Sequence, residues 1–366
     1  MKILWIILFV AVLSIVLISG VVPFFGLTSG NVVSIGAVLP LTGAESGQGE
    51  DMQKGMLLAQ TEINRTGGVN GVPLTLEIED DGSDTKGAID AYNHIRLTSK
   101  INAVITLGSP MAMALSSEID KDNVFLFAIA SAPPYVKKSG FAYRILPSAE
   151  YEGEQFAKIS TTILGVKKIA VIYVDNDYGK GEKDSFVGAF VKNGGEVLFE
   201  DGFNPGESDY LTILTKINSL DVDALYIGAW AQNVAEISLQ AKKLGIDLQI
   251  LCGQACQNRD LIDIGGNSVN NLIFYTTYLN DNSYHAKRYK ELYDEDISWV
   301  VDSGYKTTIM ISEIMKLCGE DKVCFADKLH DSEFTNKYSY MFDNDGEFIG
   351  EQTLYQVKNG EFVLYK

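Results

Sequence analysis

Two hydroxyls in this chain sit where a strand hands over to a helix. Ser109 and Pro110 fall between the β-like run Ala103–Leu107 and the helical pattern Met111–Asp120, which are the places of an N-cap serine and a first-turn proline. A helix start with a hydroxyl and unpaired backbone N–H groups suits a carboxylate. The plainer alternative is that Ser109 only caps its own helix. Ser131, in Ala130-Ser131-Ala132-Pro133-Pro134, follows the next run, Val124–Ile129. Loops from adjacent strands can face one pocket, and this chemistry holds a small polar molecule rather than breaking a bond.

Catalysis finds little support. His94, His285 and His330 are the only histidines, and each reads as a surface or helix-face residue rather than a base. The sequence has no GxSxG, no phosphate-binding P-loop, no HExxH and no GxGxxG after a strand. Asp80-Asp81 and Asp294-Glu295-Asp296 pair carboxylates, but in a chain with 48 acidic against 30 basic residues such neighbours read as turn or solvated-face positions. No enzyme, cofactor or metal is expected. The net charge of −18 excludes nucleic acid as a partner. It disfavours strongly anionic ligands and tolerates neutral, zwitterionic or cationic ones.

The elements that must position these residues alternate. Apolar runs at Val33–Leu39, Leu74–Asp80, Ala103–Leu107, Val124–Ile129, Ile169–Val174, Glu196–Glu200, Ala224–Ile227, Leu248–Leu251 and Leu272–Tyr275 are separated by helical segments. That cadence predicts parallel sheets covered by helices. The count is long for one sheet, and a break near Pro147 divides it into two comparable α/β lobes. After Asn271 the chain becomes aromatic, polar and helix-rich, with short strands expected around Tyr338–Phe342 and Thr353–Tyr365.

Residues 3–27 carry no charge and follow a single Lys2. A run this long can cross a bilayer, and it exceeds the apolar region of an ordinary secretory signal. Residues 1–30 are therefore a cleaved signal peptide or a retained membrane anchor, and the rest is extracytoplasmic. Cys252 and Cys256, in CGQAC, and Cys318 and Cys324, in CGEDKVC, each close a short loop. In an exported protein these suit local disulfides worth about 2 kcal/mol each. Free thiols and a metal site are the alternatives, although a four-thiolate zinc site wants tighter spacing. Asn64-Arg65-Thr66 matches a glycosylation acceptor, a tripeptide common by chance.

Several motifs together resemble one family. PLTG with its long helix ending INRTGGVNG, the EDDGSD turn, the ASAPP loop, DNDYGKG after a strand and the FDNDGE turn are similar to the branched-chain amino-acid-binding family of type I periplasmic binding proteins, the capture components of ABC importers. The resemblance covers Val33 to Lys366. It implies two Rossmann-like lobes with parallel-sheet cores joined by three crossovers, near Pro147, Tyr275 and Glu351, behind an N-terminal hydrophobic helix. Lobe 1 would hold residues 33–147 and 276–350, and lobe 2 residues 148–275 and 351–366.

The same resemblance assigns residues. Ser109 and Ser131 would hold a ligand's carboxylate and amino group from the first lobe. Tyr178 and Trp230, each directly after a strand in the periodicity as well, would close over the ligand from the second. Gln48 aligns with another cleft-lining position. Where amino-acid binders of the family place a glutamate for the ligand ammonium, this chain has Gln254, which weakens that half of the site because a neutral amide forgoes a charge-assisted hydrogen bond. Either Asp302 compensates, or the ligand is an amide or small carboxylate rather than an α-amino acid. The implied partners are a small-molecule ligand and the permease and ATPase subunits of an ABC importer, with the membrane added if the leader is uncleaved. A sensor ectodomain of the same fold is the alternative.

Overall fold

The computed structural model describes residues 32–131, 139–277, 283–340, 342–348 and 352–365. The leader or anchor expected over 1–30 and the crossover expected near Glu351 lie outside the described residues. Among those residues no helix is long and apolar enough to cross a membrane.

β1 (Val33–Leu39), β2 (Leu74–Asp80), β3 (Ile101–Leu107), β4 (Phe125–Ile129) and β5 (Ala142–Arg144) form a parallel five-stranded sheet of order β2-β1-β3-β4-β5. β6 (Lys168–Val174), β7 (Glu196–Phe203), β8 (Ala224–Gly228), β9 (Gln249–Cys252) and β10 (Ile273–Thr277) run parallel in the order β7-β6-β8-β9-β10 within a seven-stranded sheet. The central strands are apolar almost without alternation because helices cover both faces of each sheet. Ile35, Ala37, Ile105 and Phe127 pack on one side of the first sheet, and Val38, Val104, Leu126 and Ala128 on the other.

The tail departs from the parallel pattern. β11 (Gln352–Lys358) pairs antiparallel with β10, and β12 (Glu361–Leu364) pairs antiparallel with β11 around the turn at Asn359 and Gly360. The strand expected over Tyr338–Phe342 does not form. Asn336–Tyr338 is a single 3-10 turn, Ser339 takes φ 64°, and Phe342 makes one isolated bridge to Phe348. Tyr340 is instead buried, its hydroxyl 3.1 Å from Thr307 Oγ1. A side chain anchored to a helix in this way cannot follow a strand's alternation.

The chain passes from the first sheet to the second after β5, goes back after β10, and rejoins the second sheet at β11. On the middle leg, the helix Trp299–Cys318 lies along the helix Ser46–Arg65. Gly55 permits this contact, since a Cβ there would stand 2.2 Å from the Val301 carbonyl oxygen. Both cysteine pairs are disulfides, Cys252–Cys256 and Cys318–Cys324. Asn64 clamps the backbone of Leu74, accepting from its N–H at 2.7 Å and donating to its carbonyl at 2.9 Å, so its side chain has a structural task.

Candidate functional site

The strand orders fix where a ligand can sit. In β2-β1-β3 the connections after β1 and β3 leave in opposite directions, and in β7-β6-β8 those after β6 and β8 do the same. Ligands bind at such switch points beyond the carboxyl ends of the strands. Ser109 comes after β3 and Ser131 after β4; Tyr178 comes after β6, Trp230 after β8 and Gln254 after β9. All five line one crevice between the two sheets, together with Glu152, Glu182 and Trp299. Its volume is about 20 Å³, room for roughly one water. Entry of anything larger than a water therefore requires the two walls to separate.

Ser109 is not the N-cap that its spacing predicts. Gly108 holds that position at φ 98°, and the helix Ser109–Asp122 begins one residue earlier than expected. A side-chain-bearing residue would be strained there. It would also collide, because a Cβ on Gly108 would lie 2.4 Å from the Met111 methyl and 3.2 Å from Glu45 Oε2. Ser109 thus opens the first helical turn with its side chain buried at the crevice.

The opposite wall is aromatic. Tyr178 and Trp230 stack with ring centroids 4.4 Å apart at 21°. Asn176 caps the helix Asp177–Lys192 by accepting from Gly179 N–H at 2.9 Å, which fixes Tyr178 in its first turn. Trp230 is the N-cap residue of the helix Ala231–Lys243.

Gln254 is buried at the crevice, and its backbone N–H donates to Glu152 Oε1 at 2.8 Å. Two acids that motif reading passed over also line the crevice. Glu182, on the helix Asp177–Lys192, accepts from Ser131 Oγ at 3.0 Å and from the Tyr226 hydroxyl at 3.1 Å. Glu152, in the first turn of the helix Ala149–Thr162, lies beside it: a Cβ on Gly253 would be 2.9 Å from both Glu152 Oε1 and Glu182 Oε2. Burial raises both carboxyls above the usual range. Repulsion from Glu182 raises Glu152 further against the pull of the Gln254 N–H, while Ser131 and Tyr226 restrain Glu182. Two close, buried carboxyls cannot both ionise cheaply without a cation between them.

Helical spacing held the signal for Glu182, which lies one turn after Tyr178 on the same helix face. Glu152 carries no such mark, because a first-turn acid in an acidic chain looks like a solvated one.

Asp302, the residue expected to compensate, does not line the crevice. It sits in the helix Trp299–Cys318, 2.6 Å from His285 Nε2 and 2.7 Å from Lys306 Nζ. Burial would raise its carboxyl, but the His285 hydrogen bond and the Lys306 charge hold it below the usual range. Gln48 is buried but does not line the crevice. The helix starting at Ser46 takes it into the first turn rather than leaving it in the loop.

Glu45, on the connection after β1, does not line the crevice but stands beside Trp230 and Gly108, which border it. Burial and the neighbouring Asp81 push its carboxyl up to about 8. Trp230 Nε1 draws it down without reaching hydrogen-bonding geometry.

A family model described as periplasmic binding protein matches residues 32–361. The Leu/Ile/Val-binding protein homolog 3 of Brucella melitensis is 27% identical over 246 residues, which is 66% of this chain and 66% of that protein. The crystal structure of a leucine-binding protein, LivK, from Thermotoga maritima aligns with TM-score 0.83 at 26% identity, over 91% of this chain and 98% of the other. LivJ from Streptococcus pneumoniae, solved with isoleucine, shares the fold with TM-score 0.83 at 23% identity, over 91% and 98%.

Proposed function

The chain belongs to the periplasmic binding protein family, and on that premise we propose that it captures an amino acid outside the cytoplasm and delivers it to an ABC importer. The observation that carries this reading is that the carboxyl ends of both sheets meet at one crevice. One wall offers Ser109 and Ser131, and the other Tyr178, Trp230 and Gln254.

The chemistry divides between the walls. With the walls apart, a ligand α-carboxylate would lie at the start of the helix Ser109–Asp122, where backbone N–H groups and the Ser109 hydroxyl favour an anion. Its ammonium would lie between Ser131 and Glu182, and the Glu152–Glu182 pair would then lose the repulsion that holds a proton on it. The Tyr178–Trp230 stack would close over the side chain. A ligand that touches both walls stabilises the closed state by its differential contacts. In this reading residues 1–30 export the protein or tether it, and the permease and ATPase of the importer are its partners.

Calorimetry of the purified protein against single amino acids, small amides and small carboxylates tests the reading. Saturable binding of at least one amino acid is expected, with at least about tenfold weaker binding in Ser109→Ala. Binding of sugars or nucleotides only, or of none of these, would refute it.

A further inference from the structure

The crevice and its border carry more acid than one ammonium needs. Glu152 and Glu182 meet beside Gly253, and Glu45 lies beside Gly108 and Trp230. The hydroxyl of Tyr178 feels all three: after burial, the charges of Glu182, Glu152 and Glu45 raise it well above its ordinary range. Among the described residues, no basic side chain lines the crevice. The Trp230 indole N–H, on a residue only 9% exposed, has no hydrogen-bond partner.

A zwitterion with an apolar side chain fills such a site poorly. Its single ammonium can serve the Glu152–Glu182 pair, which leaves Glu45 beside Asp81 without a cation. A buried carboxyl in that position must keep a proton or meet a cation. A second, separate cleft has the same sign. A cleft of about 400 Å³ on the seam, between the helix Ser46–Arg65 and the segment Asn258–Asp263, is lined by seven acidic residues against only Lys54 and Arg259. Such a field draws cations and repels anions.

We infer that the ligand is an α-amino acid whose side chain carries a second cationic nitrogen, with one nitrogen received by Glu152 and Glu182 and the other by Glu45. The inference rests on the capture reading above and narrows its ligand class. The α-carboxylate keeps its place at Ser109, and the aliphatic part of the side chain lies along the Tyr178–Trp230 stack. Cations lie favourably over such rings.

Titration calorimetry with lysine, ornithine, arginine, leucine and isoleucine as probes decides the matter. At least one of the first three should bind about tenfold or more tighter than leucine, as expected of an added charge-assisted contact. Glu45→Gln and Glu152→Gln should each shrink that ratio. Leucine or isoleucine binding as tightly as every cationic probe would overturn the inference while leaving amino-acid capture standing, and so would a ratio unmoved in both variants. Failure of all amino acids to bind would remove the capture reading and this inference with it.

Discussion

Ser131 Oγ donates to Glu182 Oε1 across 3.0 Å, tying the loop beyond β4 of one sheet to a helix on the other. It is a direct bond between the two walls of the crevice, made to a buried carboxyl that also accepts from Tyr226. Ser131→Ala removes the first donor and leaves the second. A hydrogen bond to a charged group contributes about 1.5–3 kcal/mol, so ligand affinity should fall roughly tenfold or more. Calorimetry on the variant measures it, and unchanged affinity would show that this bond takes no part in closure.

The aromatic wall gives a second expectation. Stacking adds about 0.5–1.5 kcal/mol beyond the area buried, and Trp230 also supplies the N-cap residue of its helix. Trp230→Ala should lower ligand affinity by at least about tenfold, with a smaller loss from Tyr178→Phe, which keeps the ring. Equal losses in the two variants would mean that the tyrosine hydroxyl, not the stack, does the holding.

Raised carboxyls make stability depend on pH in a defined direction. Glu45 at about 8 and Asp81 at about 7 stand above the values of about 4 that unfolded chains show. In both cases burial is the main cause. The folded state therefore holds more protons than the unfolded one between those limits, and stability falls as pH rises from about 4 to about 8. Glu152 and Glu182, also raised, act in the same sense. Thermal unfolding without added ligand should show a lower midpoint at pH 8 than at pH 5.5. Glu45→Gln should flatten that trend, and a midpoint that climbs with pH would contradict the assignment.

The Cys252–Cys256 disulfide encloses the turn that presents Gln254, and both cysteines are buried. Cys318–Cys324 lies at the far end of the helix Trp299–Cys318 and does not line the crevice. Replacing Cys252 and Cys256 together by alanine should weaken ligand binding, whereas the same change at Cys318 and Cys324 should lower stability by about 2 kcal/mol and leave affinity alone. Parallel denaturation and binding curves separate the two.

Gly55 tests the scaffold. A Cβ there would press to 2.2 Å from the Val301 carbonyl oxygen, and overpacking costs about 1–3 kcal/mol. Gly55→Val should lower the unfolding midpoint and, by tilting the helix that carries Trp299, weaken binding as well. A variant of wild-type stability would mean that the two helices separate without cost.

Central strands were legible because burial on both faces writes them as nearly unbroken apolar runs, and the edge strand Leu74–Asp80 because its apolar residues alternate. The expected Val33–Leu39 and Leu74–Asp80 recur residue for residue, and the others differ by a few residues at their ends, except Tyr338–Phe342, which forms no strand. The two acids of the crevice were not legible. Nothing local separates Glu152 from the many solvated acids of the chain, and only its spacing from Tyr178 marks Glu182; their burial arises when the helices Ala149–Thr162 and Asp177–Lys192 pack against each other. Ser109 was displaced by one position because the left-handed tolerance of Gly108 outweighs the capping preference of serine. Asp302 is paired away from the crevice for a reason half visible in the sequence: Lys306 lies one turn further along the same helix, whereas His285 becomes a neighbour only when the helix Tyr284–Tyr293 folds against Trp299–Cys318.

The matching strand orders β2-β1-β3-β4-β5 and β7-β6-β8-β9-β10 make residues that follow equivalent strands counterparts of one another. Glu45 corresponds to Tyr178, Ser109 to Trp230 and Ser131 to Gln254. The backbone frame is thus duplicated, while the side chains on the two copies have diverged. Selection can rewrite one half's vocabulary without disturbing the other, so exchanging the loops after β6, β8 and β9 is the short evolutionary route, and the practical engineering route, to a new cargo.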